Sequence, residues 1–311
     1  MKLSIVATLY KSAPYIAEFY QRVSASAKKL VGDDYEIVFV NDGSPDNSLD
    51  LAVQLTEMDE HVVVVDLSRN FGHHKAMRAG LEQSKGELVF LIDTDLEEEP
   101  EWLISFSEQI NAEHADVVYG TQQQRKGGWF ERWSGAIHYT VLNWLLNIDH
   151  PRNITTSRLM SRRYVDALLS HREVEAVISC LWVITGFKQC SQTVKKHMTS
   201  ATTYSTAKKI SHLVNAVTSF SDVPLKLIFL IGAFVFLGAL FYTFLLVINH
   251  FIMSRSVDGW TSIMVSVWLL GGMIISFIGI IGIYLAKIFS ETKQRPYVIV
   301  RNVYGKSEQQ H

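Results

Sequence analysis

Two long runs without a single Asp, Glu, Lys or Arg, Leu227–Ser254 and Gly259–Ala286, constrain this chain more than any other feature. Each exceeds the roughly 20 residues that a membrane-spanning helix needs. A buried core helix is the soluble alternative, but two such runs joined by the short connector 255–258 argue for a hairpin in a bilayer. Lys208, Lys209 and Lys226 precede the pair, and Lys287, Lys293, Arg295 and Arg301 follow it. The positive-inside rule then predicts both termini in the cytoplasm and the connector outside. Gly271, Gly272, Gly279 and Gly282 thin the second run. They allow close helix packing, within the hairpin or between the subunits of a homo-oligomer.

The chain before these runs is different in kind. Apolar stretches at Leu3–Leu9, Ile37–Val40, Val62–Leu67, Leu88–Ile92 and Val117–Tyr119 alternate with helical patterns at Pro14–Leu30, Asp46–Met58, Lys75–Ser84 and Pro100–Ala112. Strands alternating with helices of this length predict βαβ units and a mostly parallel α/β sheet. Met1-Lys2 runs straight into the first stretch, which is too short for a secretory leader, so this part is expected to stay in the cytoplasm. A net charge of −2 gives no global attraction for nucleic acid. Cys180 and Cys190 lack metal-ligand spacing and read as ordinary apolar residues of a reducing compartment.

Two later segments are amphipathic. Trp129, Trp133, Ile137, Val141, Trp144 and Ile148 recur at three- or four-residue steps, and Ile210, Leu213, Val214, Val217 and Phe220 form a second stripe. Packing on the soluble core and lying in the plane of the membrane interface are both open for them.

The chemistry gathers at strand ends. Leu88-Val89-Phe90-Leu91-Ile92 runs into Asp93-Thr94-Asp95. A buried strand would deliver two carboxylates to the carboxyl edge of the sheet, where open α/β sheets bind ligands. Such a pair is mutually repulsive unless a cation lies beside it, which points to a divalent metal gripping a phosphate-bearing substrate. Asn41-Asp42-Gly43-Ser44 follows the second strand and Ser68-Arg69-Asn70-Phe71-Gly72 the third, bringing a carboxylate, a cation and flexible glycines to the same edge. His73 and His74 are neighbours that do not face each other on a helix, and they read as surface or loop residues.

Together these motifs resemble glycosyltransferase family 2, and within it the polyprenyl-phosphate glycosyltransferases of the dolichol-phosphate mannose synthase-like group. The resemblance rests on Val40-Asn41-Asp42-Gly43-Ser44, Ser68-Arg69-Asn70-Phe71-Gly72, Asp93-Thr94-Asp95-Leu96, Pro100-Glu101-Trp102, Arg158-Leu159-Met160 and Arg295-Pro296-Tyr297. Their order, their spacing and the terminal hairpin match over nearly the whole chain. The resemblance implies a GT-A fold over 1–204 with the 129–148 helix inside it. A juxtamembrane helix over 205–223, a two-helix hairpin over 224–290 and a cytoplasmic tail over 291–311 complete the implied organisation. It also implies a nucleotide-sugar donor, a UDP-sugar by default, and Mg²⁺ or Mn²⁺. Asp93 and Asp95 would hold the metal, with Glu97 a further ligand. Tyr10, Asp42, Arg69, Asn70, Lys195, Lys196 and Tyr204 would contact the donor. Arg125 and Arg158 join the aspartates as catalytic candidates. The acceptor would be polyprenyl phosphate, undecaprenyl phosphate in a bacterium, at the inner leaflet of the cytoplasmic membrane. The product would supply cell-surface glycan modification.

The chain departs from that group at Thr155-Thr156-Ser157, where Gly-Asp-Phe is common. A sugar hydroxyl acceptor needs a positioned base near neutral pH. A lipid phosphate, with a second pKa of about 6, is already anionic. The missing acid near Thr156 therefore favours a phosphate acceptor, unless another segment supplies the base. Three other readings stand beside this one: addition of a sugar to a lipid-linked saccharide, a phosphatase with Asp93 as nucleophile, and a non-catalytic two-span scaffold.

Overall fold

The computed structural model describes residues 1–122, 153–171, 173, 178–197, 221, 223–253 and 259–305. Arg125, Tyr204 and the 129–148 stripe lie outside the described residues, as does all of the 205–223 segment except Ser221 and Val223.

The first half alternates as expected: β1 Leu3–Leu9, α1 Ile16–Val31, β2 Tyr35–Asn41, α2 Ser48–Met58, β3 Val62–Leu67, α3 His73–Gln83, β4 Leu88–Asp93, α4 Trp102–Glu113 and β5 Val117–Gln122. Then follow β6 Ile154–Ser161, α5 Arg162–Ser170, α6 Ile178–Ile184 and β7 Gln189–Val194. Two long helices, α7 Val223–Met253 and α8 Trp260–Thr292, precede a last strand, β8 Val300–Tyr304.

One eight-stranded sheet runs β7-β5-β6-β4-β1-β2-β3-β8. β1 pairs in parallel with β2 and β4, β2 with β3, and β5 with β7; β6 and β8 are the antiparallel members. The sheet is covered on both faces, which explains strands without polar alternation. Ile5, Phe39, Phe90 and Ile92 pack toward α1, α2 and α4 on one face. Val6, Val38, Val89 and Leu91 pack toward α3, α5 and α6 on the other. Because β1 to β4 all run the same way, the segments after each of them meet at one edge of the sheet.

Among the described residues one stretch, Leu270–Thr292 within α8, is long and apolar enough to cross a membrane, and Val223–Val235 in α7 is a shorter apolar stretch. The Tyr284 hydroxyl donates to the Ser221 carbonyl oxygen at 2.8 Å, so the end of α8 lies beside the start of α7. The chain then returns to the sheet. The 291–311 segment, expected as a tail, instead contributes β8 to the edge of β3. Arg301 reinforces this docking: it donates to the Ser68 carbonyl oxygen at 2.6 Å and pairs with Asp66 at 3.3 Å. Asp66 is buried, and its other oxygen accepts from the Asn41 amide at 2.8 Å. Arg301→Ala would leave that buried carboxylate half-satisfied. Arg301 is itself more than half exposed, so the expected loss is held to about 1–2 kcal/mol. Denaturant unfolding of the purified chain measures it.

Candidate active site

Four loops build the site. Thr8 is a buried residue near the end of β1, and Tyr10 just after the strand stands half exposed. After β2, the buried Asp42 carboxylate accepts the backbone N–H groups of Phe71 (2.6 Å) and Gly72 (3.0 Å), one on each oxygen. This ties the loop after β3 to the loop after β2. Gly43, at φ 59°, lets the two loops touch: a Cβ there would lie 2.4 Å from the Asn70 nitrogen. A cavity of about 120 Å³ opens over the junction, lined by Thr8, Tyr10, Asp42, Asn70, Gly72 and His73. Burial raises the Asp42 pKa, against the pull of the two amides. The lone pairs it retains face a cavity with an aromatic ring at its rim, an arrangement suited to a heterocyclic base or a ribose.

The turn after β4 supplies the charge. Thr94, between the aspartates, is buried and donates to the Thr8 carbonyl oxygen at 2.9 Å, fastening this loop to β1. The Asp95 carboxylate accepts the Glu97 N–H at 3.0 Å, closing a tight turn that holds Leu96 at φ 56°. A leucine in the left-handed region is strained, and here the strain aims carboxylates on both sides of it. Glu97 pairs with Lys196 at 3.0 Å, and the same ammonium lies 3.6 Å from Glu98. Lys196 follows β7, whose parallel course brings it to this edge. Lys195, one residue earlier and just past the end of β7, is exposed.

Glu98 and His73 are the site residues that sequence reasoning missed. Glu98 is fully buried and accepts the N–H groups of Thr156 (3.1 Å) and Ser157 (2.7 Å) at the start of β6. An acid thus does occupy the region where the sequence lacks one, supplied by another segment. His73, read from sequence as a surface or loop residue, stands at the start of α3. Its Nδ1 meets the Thr8 hydroxyl at 3.1 Å and its Nε2 lies 3.3 Å from Asp93. Burial lowers its pKa, so the neutral ring is favoured. Its place beside Gly72 offered the only signal, because parallel strand ends converge.

Arg69 and Arg158 sit differently from the expectation of direct substrate contact. The Arg69 guanidinium turns away from the cavity that Asn70 lines, lying 4.1 Å from the centre of the Phe71 ring. Arg158 is 2% exposed, stacks on Trp182, and donates to the Thr155 and Thr156 carbonyl oxygens. From the interior it shapes the start of β6 rather than reaching a ligand.

Burial raises the Asp93 pKa to about 6, helped by Asp95, and raises that of Glu98 to about 7, helped by Asp93. Burial opposes the charge on Lys196, but Glu98, Glu97 and Asp95 outweigh it and its pKa is raised. Carboxylates here outnumber the described cations and lie partly out of water. Among the described residues no three His, Cys, Asp or Glu side chains converge as a complete metal shell. That donor set fits Mg²⁺ or Mn²⁺ held by one or two carboxylates with phosphate oxygens and water completing the shell. The pH dependence follows. A carboxyl whose folded pKa exceeds its unfolded value contributes stability that is fully present at low pH and lost as pH rises. Without metal, the contribution of Asp93 and Glu98 should therefore fall between about pH 4 and 7. Asp93→Asn should flatten that slope in thermal unfolding at several pH values; an unchanged slope would rule out the Asp93 contribution.

Comparison with known proteins adds to this geometry. The model of the family described as glycosyl transferase family 2 matches residues 4–169. A Mycobacterium tuberculosis protein named as a glycosyltransferase is 47% identical over 98% of this chain and 89% of its own length. The glycosyltransferase YkcC of Bacillus subtilis is 31% identical over 98% of this chain and 95% of its own. The bactoprenol glucosyl transferase of Shigella phage SfV is 31% identical over 97% of this chain and 99% of its own.

Proposed function

Because the chain belongs to glycosyl transferase family 2 and is a glycosyltransferase with a GT-A-like α/β fold, we propose that it transfers a sugar, with inversion, from a nucleotide-sugar to polyprenyl phosphate at the inner leaflet of a bacterial cytoplasmic membrane. The observation that carries this reading is one of placement. The acidic turn after β4 shares a sheet edge with the cavity over Asp42, and the same sheet is closed by a strand that follows a helix fit to span a bilayer. The similarity to a bactoprenol glucosyl transferase supports a polyprenyl phosphate as acceptor. The two charge-free runs and their basic flanks support a two-span hairpin over 224–290 with both termini cytoplasmic.

In this mechanism Tyr10, Asp42 and Asn70 hold the nucleoside of a UDP-sugar. Asp95 and Asp93, with Glu97 as a further ligand, would hold Mg²⁺ or Mn²⁺. When bound, that ion would neutralise charge on the donor diphosphate. An anionic oxygen of the lipid phosphate attacks the anomeric carbon from the face opposite the nucleotide. The carbon–oxygen bond to the diphosphate breaks, and its electron pair leaves with the nucleoside diphosphate. Lys196, held by Glu97 and Glu98, is placed to approach that leaving charge. Lys195, Arg125 and Tyr204 remain as donor or phosphate contacts. Thr8 and His73 position Asp93.

The test is incubation of the purified full chain with labelled nucleotide-sugars, polyprenyl phosphate and Mg²⁺ or Mn²⁺. Label released from lipid by mild acid indicates a sugar phosphodiester and supports the proposal. Acid-stable label would instead indicate transfer to a lipid-linked saccharide. No incorporation from any donor would count against both.

A further inference from the structure

A second cavity, of about 340 Å³, lies where the end of α8 meets the loop after β3. Four cations line it: Arg69 and Lys75 from the catalytic domain, Lys293 and Arg295 from the segment that leaves α8. None of the described residues lining it is acidic. Positive side chains that converge from two remote parts of a chain make a favourable place for an anion. We propose that this cavity binds the phosphate head of an anionic membrane phospholipid. The inference rests on the membrane placement of α8 proposed above.

Two features distinguish a lipid from a free phosphate. Ile281, Leu285 and Ile288 are exposed on α8 at helical spacing, and the stripe continues into Phe289, which lines the cavity. An acyl chain lying along that stripe would bring its head group to the cations. The cytoplasmic leaflet is also where anionic head groups accumulate and where basic clusters beside a span recruit them.

A third feature separates this lipid from the acceptor. Along the loop after β3, Asn70 and Gly72 line the donor cavity, whereas Arg69 and Phe71 line the second one. The loop backbone therefore stands between the two. A reacting phosphate must reach the anomeric carbon on the donor side, so a phosphate in the second cavity belongs to another molecule. The cavity anchors the catalytic face to the bilayer through the same loop that Asp42 holds over the donor.

The experiment uses the full chain in detergent micelles. Retained lipid is counted by native mass spectrometry after adding phosphatidylglycerol or phosphatidylcholine with identical acyl chains. Selective retention of one phosphatidylglycerol is expected. Lys293→Gln with Arg295→Gln should weaken it by about fivefold for each cation removed. The Lys293→Arg/Arg295→Lys exchange, which keeps the charge, should preserve it. Equal retention of both lipids, or selectivity unchanged in the double glutamine variant, would overturn the site. Displacement by inorganic phosphate alone would show an anion pocket without a lipid, and displacement by stoichiometric polyprenyl phosphate would make it the acceptor site; either overturns the proposal. Transfer activity is read separately on the same preparation. Selectivity without transfer would support this site while counting against the proposed reaction, and transfer without selectivity would do the reverse.

Discussion

Replacing Asp95 with alanine is expected to lower kcat/KM for sugar transfer by about 10²–10³-fold while leaving the fold intact. The two halves of that expectation have different sources. Asp95 is partly exposed and, among the described residues, the hydrogen bond it makes is the one from the Glu97 N–H in its own turn, so little packing is lost. Its loss removes a carboxylate from the charge balance around the donor diphosphate. The signature is a variant with wild-type unfolding behaviour, lost transfer and a weakened response to added Mg²⁺ or Mn²⁺. Retained transfer in Asp95→Ala would remove the metal role assigned to the turn after β4.

Gly43→Ala should fail in the opposite manner, through the fold of the site. At φ 59° an alanine adopts a left-handed conformation, and its Cβ would meet backbone atoms of Asn70 at 2.4 Å and Arg69 at 2.5 Å. Backbone cannot rotate aside as a side chain can. Strain and overpacking together suggest a cost of about 2–4 kcal/mol. The loop after β3 must then move, taking Asn70 out of the donor cavity and lengthening the two hydrogen bonds from Phe71 and Gly72 to Asp42. Donor KM should rise about tenfold or more even in molecules that fold, a change of ~1.4 kcal/mol in binding. Donor titration by calorimetry, beside thermal unfolding, separates the two effects. Unchanged donor affinity and stability would show that the loops do not touch as described.

The central sheet was legible because its strands are apolar on both faces. β1 and β3 begin and end where the apolar stretches do, and β4 extends its stretch only by Asp93. β6 and β7 were not legible. In β6, Ile154 is followed by Thr155-Thr156-Ser157-Arg158, polar residues whose partners lie on remote segments: Glu98 for two backbone amides, Trp182 for the guanidinium. β7 is a polar edge strand, Gln189–Val194, with no alternation to betray it. β8 was hidden by distance, since its partner Asp66 lies on the far side of both long helices in the chain.

The site divides along the same line. Asp42, Asn70, Asp93 and Asp95 announced themselves because each follows an apolar strand directly. Glu98 did not, because in sequence it is one of three consecutive glutamates. Only folding separates Glu97 facing Lys196, Glu98 fully buried, and Glu99 paired with His197 at 2.6 Å. His73 was obscured by His74. Neighbours on a helix do not face each other, and His73 has a separate partner in Asp93.

The position of β8 also orders the life of the chain during synthesis. β3 has one neighbour, β2, until the last strand arrives, and both long helices are made in between. A nascent chain thus carries an open parallel edge, with Asp66 lacking its Arg301 partner, until α7 and α8 have both been made. Exposed strand edges recruit other chains. Sealing that edge requires the segment that leaves α8 to return to the sheet as β8. Completion of the sheet therefore reports that both long helices have been placed so that the chain can return, and a chain in which they are misplaced keeps an open β3 edge.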